Sequence, residues 1–137
     1  RLEIGDRTAE KIKISVGSAM RSRSKNILVK GRDLVSGIPK TQDIRSDEIR
    51  QALKDSVKRI LEVVKDALES TPPELSSDII DRGILVAGGG AQLRGLDQVI
   101  REKTNVPCNV VEEPHLAIVK GCGKIIEDLE KYKHVLI

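Results

Sequence analysis

An α/β fold is predicted by three features of the sequence. Ile84-Leu85-Val86-Ala87 is a short, wholly apolar run, the pattern of a strand buried on both faces of a parallel sheet. Gly88-Gly89-Gly90 ends it, and a helical stretch from near Gln92 to about Lys103 leads to a second strand at Val106–Val111. Strand, helix and strand in that order make a unit with a right-handed crossover. Upstream, Ile49, Leu53, Val57, Ile60, Leu61, Val64 and Leu68 recur at three- and four-residue steps, which describes the buried face of one long helix.

The remaining elements follow in order. Arg1-Leu2-Glu3-Ile4 reads as the tail of an interrupted element, and with no starting Met the chain reads as a fragment. Gly5-Asp6-Arg7-Thr8 is a turn holding two N-cap candidates, Asp6 and Thr8, and it opens a helix to about Ser15. Ala9, Ile12, Val16 and Ala19 keep helical spacing, and Gly17 is a stop. Arg21 to Asn26 is a polar, basic loop. Ile27–Gly31 is a strand, turn residues follow it, and a second strand covers Pro39–Ile44. Ser46 is expected to cap the long helix, with Asp47 and Glu48 in its first turn. Thr71-Pro72-Pro73 stops that helix, and a short one runs from Pro73 to Arg82. A final helix starts after Pro114 and reaches about Tyr132, with a possible break at Gly121-Cys122-Gly123.

Composition narrows the function. Among 137 residues there is no Trp or Phe and a single Tyr, so the core must be aliphatic. Charged residues make up 33% but the net charge is only +3, and base-stacking aromatics are missing, which argues against nucleic acid as a partner. The slight basic excess would at most help the protein settle near anionic lipid. No stretch has the roughly 20 apolar residues needed to span a bilayer, and Val135-Leu136-Ile137 is too short to anchor anything. Cys108 and Cys122 fit no zinc or CxxC pattern and read as two reduced, buried thiols.

Two constellations could touch a ligand. Gly88-Gly89-Gly90, with Ala91 and Gln92 beyond, lets backbone come close to whatever lies above the strand ends, where open sheets bind phosphates or sugars. It is neither GxGxxG nor a P-loop, and a tight strand-to-helix connection explains it equally well. Glu10 and Lys13 stand one helical turn apart: a carboxylate can bond a ribose hydroxyl, and a lysine stem can lie along adenine. On spacing alone a surface ion pair worth ~0.3 kcal/mol is the better reading. His115 and His134 read as surface histidines, and Asp43, Asp47 and Glu48 would meet a metal only by accident. No nucleophile–base pair and no metal site is found.

Gly5-Asp6-Arg7-Thr8-Ala9-Glu10-Lys11-Ile12-Lys13 resembles a segment of the MreB family of bacterial actins, the rod shape-determining proteins. The resemblance continues through Gly31–Thr41, Thr71–Leu75 with Asp78–Gly83, and Gly88–Asp97, in order and over nearly the whole chain. Ala87, Gln92, Lys120, Cys122 and the basic Arg21–Lys25 loop depart from the usual family pattern, though none removes a backbone amide.

The resemblance implies the actin/Hsp70/sugar-kinase (ribonuclease H-like) fold, with residues 1–70 as the outer and 71–137 as part of the inner subdomain of its second lobe. It implies ATP or ADP, with Mg²⁺ in the intact protein, and contacts from Glu10, Lys11, Ile12 and Lys13 and from Gly88, Gly89, Gly90, Ala91 and Gln92 on the adenosine side. It further implies homopolymer filaments, cell-wall elongation membrane proteins as partners, and a cytoplasmic position at the inner face of the inner membrane. Phosphate loops and catalytic residues would lie upstream, so no ATPase activity is expected from this chain alone. A lobe of a small-metabolite kinase and a nucleotide-free regulatory module are the alternatives.

Overall fold

The computed structural model describes residues 1–135; Leu136 and Ile137, part of the apolar end noted above, lie outside the described residues. Its elements are β1 (Leu2–Glu3), α1 (Asp6–Val16), β2 (Asn26–Asp33), β3 (Pro39–Arg45), α2 (Ser46–Glu69), α3 (Pro73–Arg82), β4 (Ile84–Val86), a 3-10 turn (Gly89–Gln92), α4 (Leu96–Thr104), β5 (Cys108–Val110), α5 (Ala117–Glu127) and a second 3-10 turn (Lys133–Val135). The strands β1, β2 and β3 form an antiparallel sheet in that order, while β4 and β5 pair in parallel, Ile84 opposite Cys108 and Val86 opposite Val110. The parallel pair with α4 between its strands is the predicted strand–helix–strand unit.

Two aliphatic clusters hold these pieces. Ile12, Val16 and Val29 are buried together, with Leu2, Ile4, Ile27, Ile44 and Ile49 packed around them. Val57, Leu96, Ile100 and Cys108 form the other, with Leu61, Val64, Ile84 and Val86 against it. The long helix α2 serves both, through Ile49 near its start and Val57, Leu61 and Val64 further on. Its buried stripe therefore shifts along the helix, and Ile60, about 60° round from Val57, falls at the margin and is 39% exposed.

Helix ends depart from expectation in a consistent way. Gly5, not Asp6 or Thr8, occupies the N-cap of α1, and no side chain caps it. Ser46 does not cap α2; its buried hydroxyl accepts the Lys25 N–H at 3.1 Å, and its own N–H donates to the Lys25 carbonyl. The cap falls on Arg45, whose N–H donates to Glu48 Oε1 at 2.9 Å. Gly17 does end α1, in extended rather than left-handed backbone, and a Cβ there would sit 2.3 Å from the Lys13 carbonyl oxygen. The α3 bounds are those the prolines predict, with Pro73 at the first helical position.

Several burial expectations are corrected. Alternation along β4 turns Ile84 and Val86 to the core and leaves Leu85 69% exposed, so the strand is covered on one face. Cys108 is fully buried, and burial pushes its thiol pKa up, but Cys122 is exposed. The last helix, α5, runs unbroken through Gly121 and Gly123, stops at Glu127, and buries no residue.

Asp33 organises the β2–β3 turn. Its Oδ1 accepts the N–H groups of Val35 and Ser36 at 2.8 and 3.0 Å, and its Oδ2 meets Lys40 at 3.0 Å. The Ser36 amide, Lys40 and the Val35 amide hold its carboxyl far below the usual carboxylate range.

Because Asp33 gives up its proton more readily folded than unfolded, its contribution is fully present above the unfolded value of about 4 and is lost as pH falls toward the folded one. In an acid titration followed by NMR, the Val35 and Ser36 amides are expected to shift only well below pH ~4; movement centred at that value would refute the arrangement. Asp33→Asn should abolish that dependence. In the core, Ile100→Ala is expected to cost roughly 2–5 kcal/mol by chemical denaturation, against about 0.5 or less for Val35→Ala, which is 88% exposed.

Candidate functional site

The glycine segment leaves β4 directly. Val111 N–H donates to the Val86 carbonyl at 3.1 Å and continues the parallel ladder one step past β5. Gly88 then turns the chain at φ +88° and ψ 168°, a conformation essentially confined to glycine, and its N–H donates to the Pro114 carbonyl at 2.7 Å. Residues Gly89–Gln92 form a 3-10 turn, closed by Ala91 N–H to Gly88 O and Leu93 N–H to Gly90 O. The helix expected from near Gln92 begins only at Leu96, because Gly95 at φ +75° interrupts the chain where it passes Met20.

The three glycines differ in what requires them. Backbone conformation requires glycine at Gly88. Gly89 and Gly90 have no such φ, and a Cβ on either would meet no atom within 4 Å. By contrast, a Cβ at Gly83 would strike the Pro107 carbonyl oxygen at 2.5 Å. Both Gly89 and Gly90 are exposed, and no described hydrogen bond uses their N–H groups. Ala91 is buried at 6% exposure, and the Gln92 amide lies 2.9 Å from His115 Nδ1. Nearby, Lys120 pairs with Glu113 and holds that carboxyl below its usual range, chiefly through the hydrogen bond between them.

On α1, Lys13 Nζ and Glu10 Oε2 are 2.7 Å apart, with side chains 45% and 55% exposed, the surface ion pair that spacing alone suggested. Lys11 is exposed as well. Ile12, grouped with them by resemblance, turns inward and is 4% exposed in the cluster with Val16 and Val29. Its side chain is structural, since the helical period carries one residue of any such run to the buried face. Glu10 and Lys13 border a groove of ≈ 340 Å³ whose walls include Ile4, Ile44, Ile49 and Leu53, and no residue of the glycine turn lines it.

What joins the two constellations is Arg94, a residue that motif reading passed over. Its guanidinium donates to the Ser15 carbonyl at 2.7 Å and the Gly17 carbonyl at 3.1 Å, at the open end of α1. Its own carbonyl accepts the Ala19 N–H at 2.8 Å and the buried Ser18 hydroxyl at 3.1 Å. The segment leaving α1 and the segment following the glycine turn are thus bonded in both directions. The available signal was the unfilled need for donors at the last carbonyls of α1, but nothing in sequence distance points to a residue nearly eighty positions away.

A family model for MreB/Mbl protein matches residues 1–134. Over 132 residues the chain is 46% identical to the cell shape-determining protein Mbl of Bacillus subtilis (strain 168), a match covering 96% of this chain and 40% of that protein. It is 42% identical over 130 residues to the cell shape-determining protein MreB of Escherichia coli (strain K12), covering 94% of this chain and 38% of the other. Among solved structures it is similar to MreB5 of Spiroplasma citri bound to ADP, with TM-score 0.89, 34% identity and coverage of 97% and 41%. The AMPPNP-bound structure of the same protein gives TM-score 0.88, 34% identity and coverage of 97% and 40%. The chain therefore spans about 40% of the length of the curated relatives it matches. The expected α/β lobe of the actin-like fold is the one observed.

Arg94→Ala is expected to lower stability by about 1–2 kcal/mol in denaturant melts, since two charge-assisted bonds to carbonyls are lost. Hydrogen exchange should quicken first at Gly17 and Ala19. Unchanged exchange there would mean that Arg94 does not hold the end of α1.

Proposed function

The chain belongs to the MreB/Mbl protein family, and on that premise we propose that it is the second lobe of an ATP-binding, filament-forming bacterial actin that maintains rod shape. The observation that carries the nucleotide part is Gly89 and Gly90, exposed residues that neither backbone angle nor packing within the chain obliges to be glycine. A glycine costs up to ~1 kcal/mol in regular structure. Bare backbone at those positions makes sense if a ligand comes within van der Waals distance of it. The solved relatives bound to ADP and AMPPNP supply the ligand class.

On this reading the adenosine side of the site is divided between two segments. Gly88, Gly89, Gly90, Ala91 and Gln92 offer backbone, while Glu10, Lys11 and Lys13 offer side chains from the exposed face of α1. The Glu10 carboxylate would accept from ribose hydroxyls, and the Lys13 stem would lie along the base; Ile12 contributes only by fixing the helix. The proposed division into an outer subdomain, residues 1–70, and an inner one, 71–137, assigns one wall to each. Arg94 would keep the two walls at a fixed spacing, so that binding energy is not spent on ordering them.

ATP bound between this lobe and another would favour the closed form and its assembly into homopolymers, by the usual linkage of ligand to the state it prefers. Phosphate handling, Mg²⁺ binding and hydrolysis belong on this reading to the rest of the protein. So does contact with the inner membrane and with the cell-wall elongation proteins that the filament would organise from the cytoplasmic side.

Titrating ATP into the full-length protein that contains this chain should raise light scattering, and this chain alone should show no ATPase activity above background. Gly90→Val is expected to leave the melting temperature unchanged, having open space for its side chain, yet to weaken fluorescent-ADP binding to the full-length protein roughly 10-fold or more. Unchanged affinity in that variant would remove the glycine turn from the site.

A further inference from the structure

The loops that leave the two parallel strands meet through one pair of side chains. Gln92 belongs to the 3-10 turn beyond β4 and His115 to the loop beyond β5, and both are exposed. The Gln92 Nε2–H donates to His115 Nδ1 at 2.9 Å. An amide nitrogen can only donate, so Nδ1 is the bare nitrogen and the ring carries its proton on Nε2. Among the described residues neither Gln92 Oε1 nor His115 Nε2 has a hydrogen-bond partner.

The backbone on either side of His115 is fixed. The Pro114 carbonyl before it accepts the Gly88 N–H at 2.7 Å, and the Leu116 N–H after it donates to the Glu113 carbonyl at 2.8 Å. Glu113 opens this turn at a left-handed φ of 46°, and its carboxylate pairs with Lys120 on α5. A lone surface amide can present its oxygen and nitrogen in either order. Here His115 takes one Nε2–H, so Oε1 and the second Nε2–H stay free in a set order, an acceptor beside a donor.

That order matches one purine. Adenine carries the N6 amino donor next to the N7 acceptor, an edge that glutamine bonds through both of its side-chain atoms. Guanine carries O6 and N7 there, two acceptors, so an amide fixed in this order sets Oε1 against O6. An acceptor left facing an acceptor in a closed site costs more than a contact that is merely missing.

We propose that the Gln92–His115 bridge reads the base of the bound nucleotide and selects adenine over guanine. Gln92 bonds the N6/N7 edge, and His115 is the positioning residue that fixes which way the amide faces. The inference rests on the nucleotide reading given above and names the base that the site prefers and the side chains that choose it.

The test compares ADP and GDP binding to the full-length protein by titration calorimetry near pH ~8, where free imidazole is neutral. Wild type is expected to prefer ADP by roughly 10-fold. Gln92→Leu removes both free atoms, and His115→Ala leaves the amide free to turn; each should lower that preference at least about threefold. Both positions are exposed, so each variant is expected to melt close to wild type. A merely structural role would weaken ADP and GDP alike and leave their ratio in place. If wild type binds the two equally, or either variant keeps the wild-type ratio, the bridge does not read the base while the nucleotide reading stands. If wild type binds neither ADP nor GDP, the nucleotide reading falls and takes the base preference with it.

Discussion

Two-way bonding between Arg94 and the end of α1 ties the segment that carries Glu10 and Lys13 to the segment that follows the glycine turn. A helix leaves its last carbonyls without partners, and here a guanidinium from another part of the chain supplies donors to two carbonyls at that end. The same residue's carbonyl takes the Ser18 hydroxyl and the Ala19 amide, so neither segment can slide without breaking bonds on both. Glycine at position 17 leaves room for this exit from α1, since a Cβ there would lie 2.3 Å from the Lys13 carbonyl oxygen. Gly95 allows the partner segment to turn away beside Met20. Together the arginine and the two glycines form a joint between the α1 layer and the glycine turn.

The joint matters because the two aliphatic clusters are otherwise connected chiefly along α2. Without Trp or Phe, neither cluster has a large ring to lock it, and burial is spread over Ile, Leu and Val side chains worth about 1.5–3 kcal/mol each. One helix serving two cores must shift its buried stripe, as Ile60 shows. Such a beam fixes the distance between the clusters better than their rotation. Arg94 supplies a second connection, to the side of the beam, and two connections resist twisting where one does not.

Local chemistry was legible in the sequence wherever a single segment decided the outcome. The prolines at 72 and 73 set the start of α3, and the apolar run at 84 set β4. Where a distant part of the chain decides the outcome, local pattern misleads. Ser46 looked like a cap but is held by Lys25, and Cys122 looked like its buried counterpart Cys108 but is exposed. The start of α4 moved to Leu96 because Gly95 passes Met20, more than seventy residues earlier in the chain. The residues themselves singled out the glycine turn and the Glu10–Lys13 pair, and resemblance added Ile12, whose side chain faces the core at 4% exposure. Arg94 escaped because its role is set by two carbonyl oxygens, and backbone carbonyls carry no sequence signature.

Glycine offers the most direct route from such a chain to the surfaces it uses. Where its own fold demands the residue, as at Gly83 or Gly95, a positive φ or a close neighbour accounts for it. Gly89 and Gly90 have neither, and the same is true of Gly121 and Gly123 in the middle of α5, where each costs about 1 kcal/mol of helix stability. At Gly89 and Gly90, both exposed, the bare backbone borders space that the chain's own packing does not use. At the end of β4, where open sheets bind ligands, the solved relatives bound to ADP and AMPPNP make a nucleotide the proposed occupant. The absence of a side chain can thus be a functional feature as specific as the presence of one.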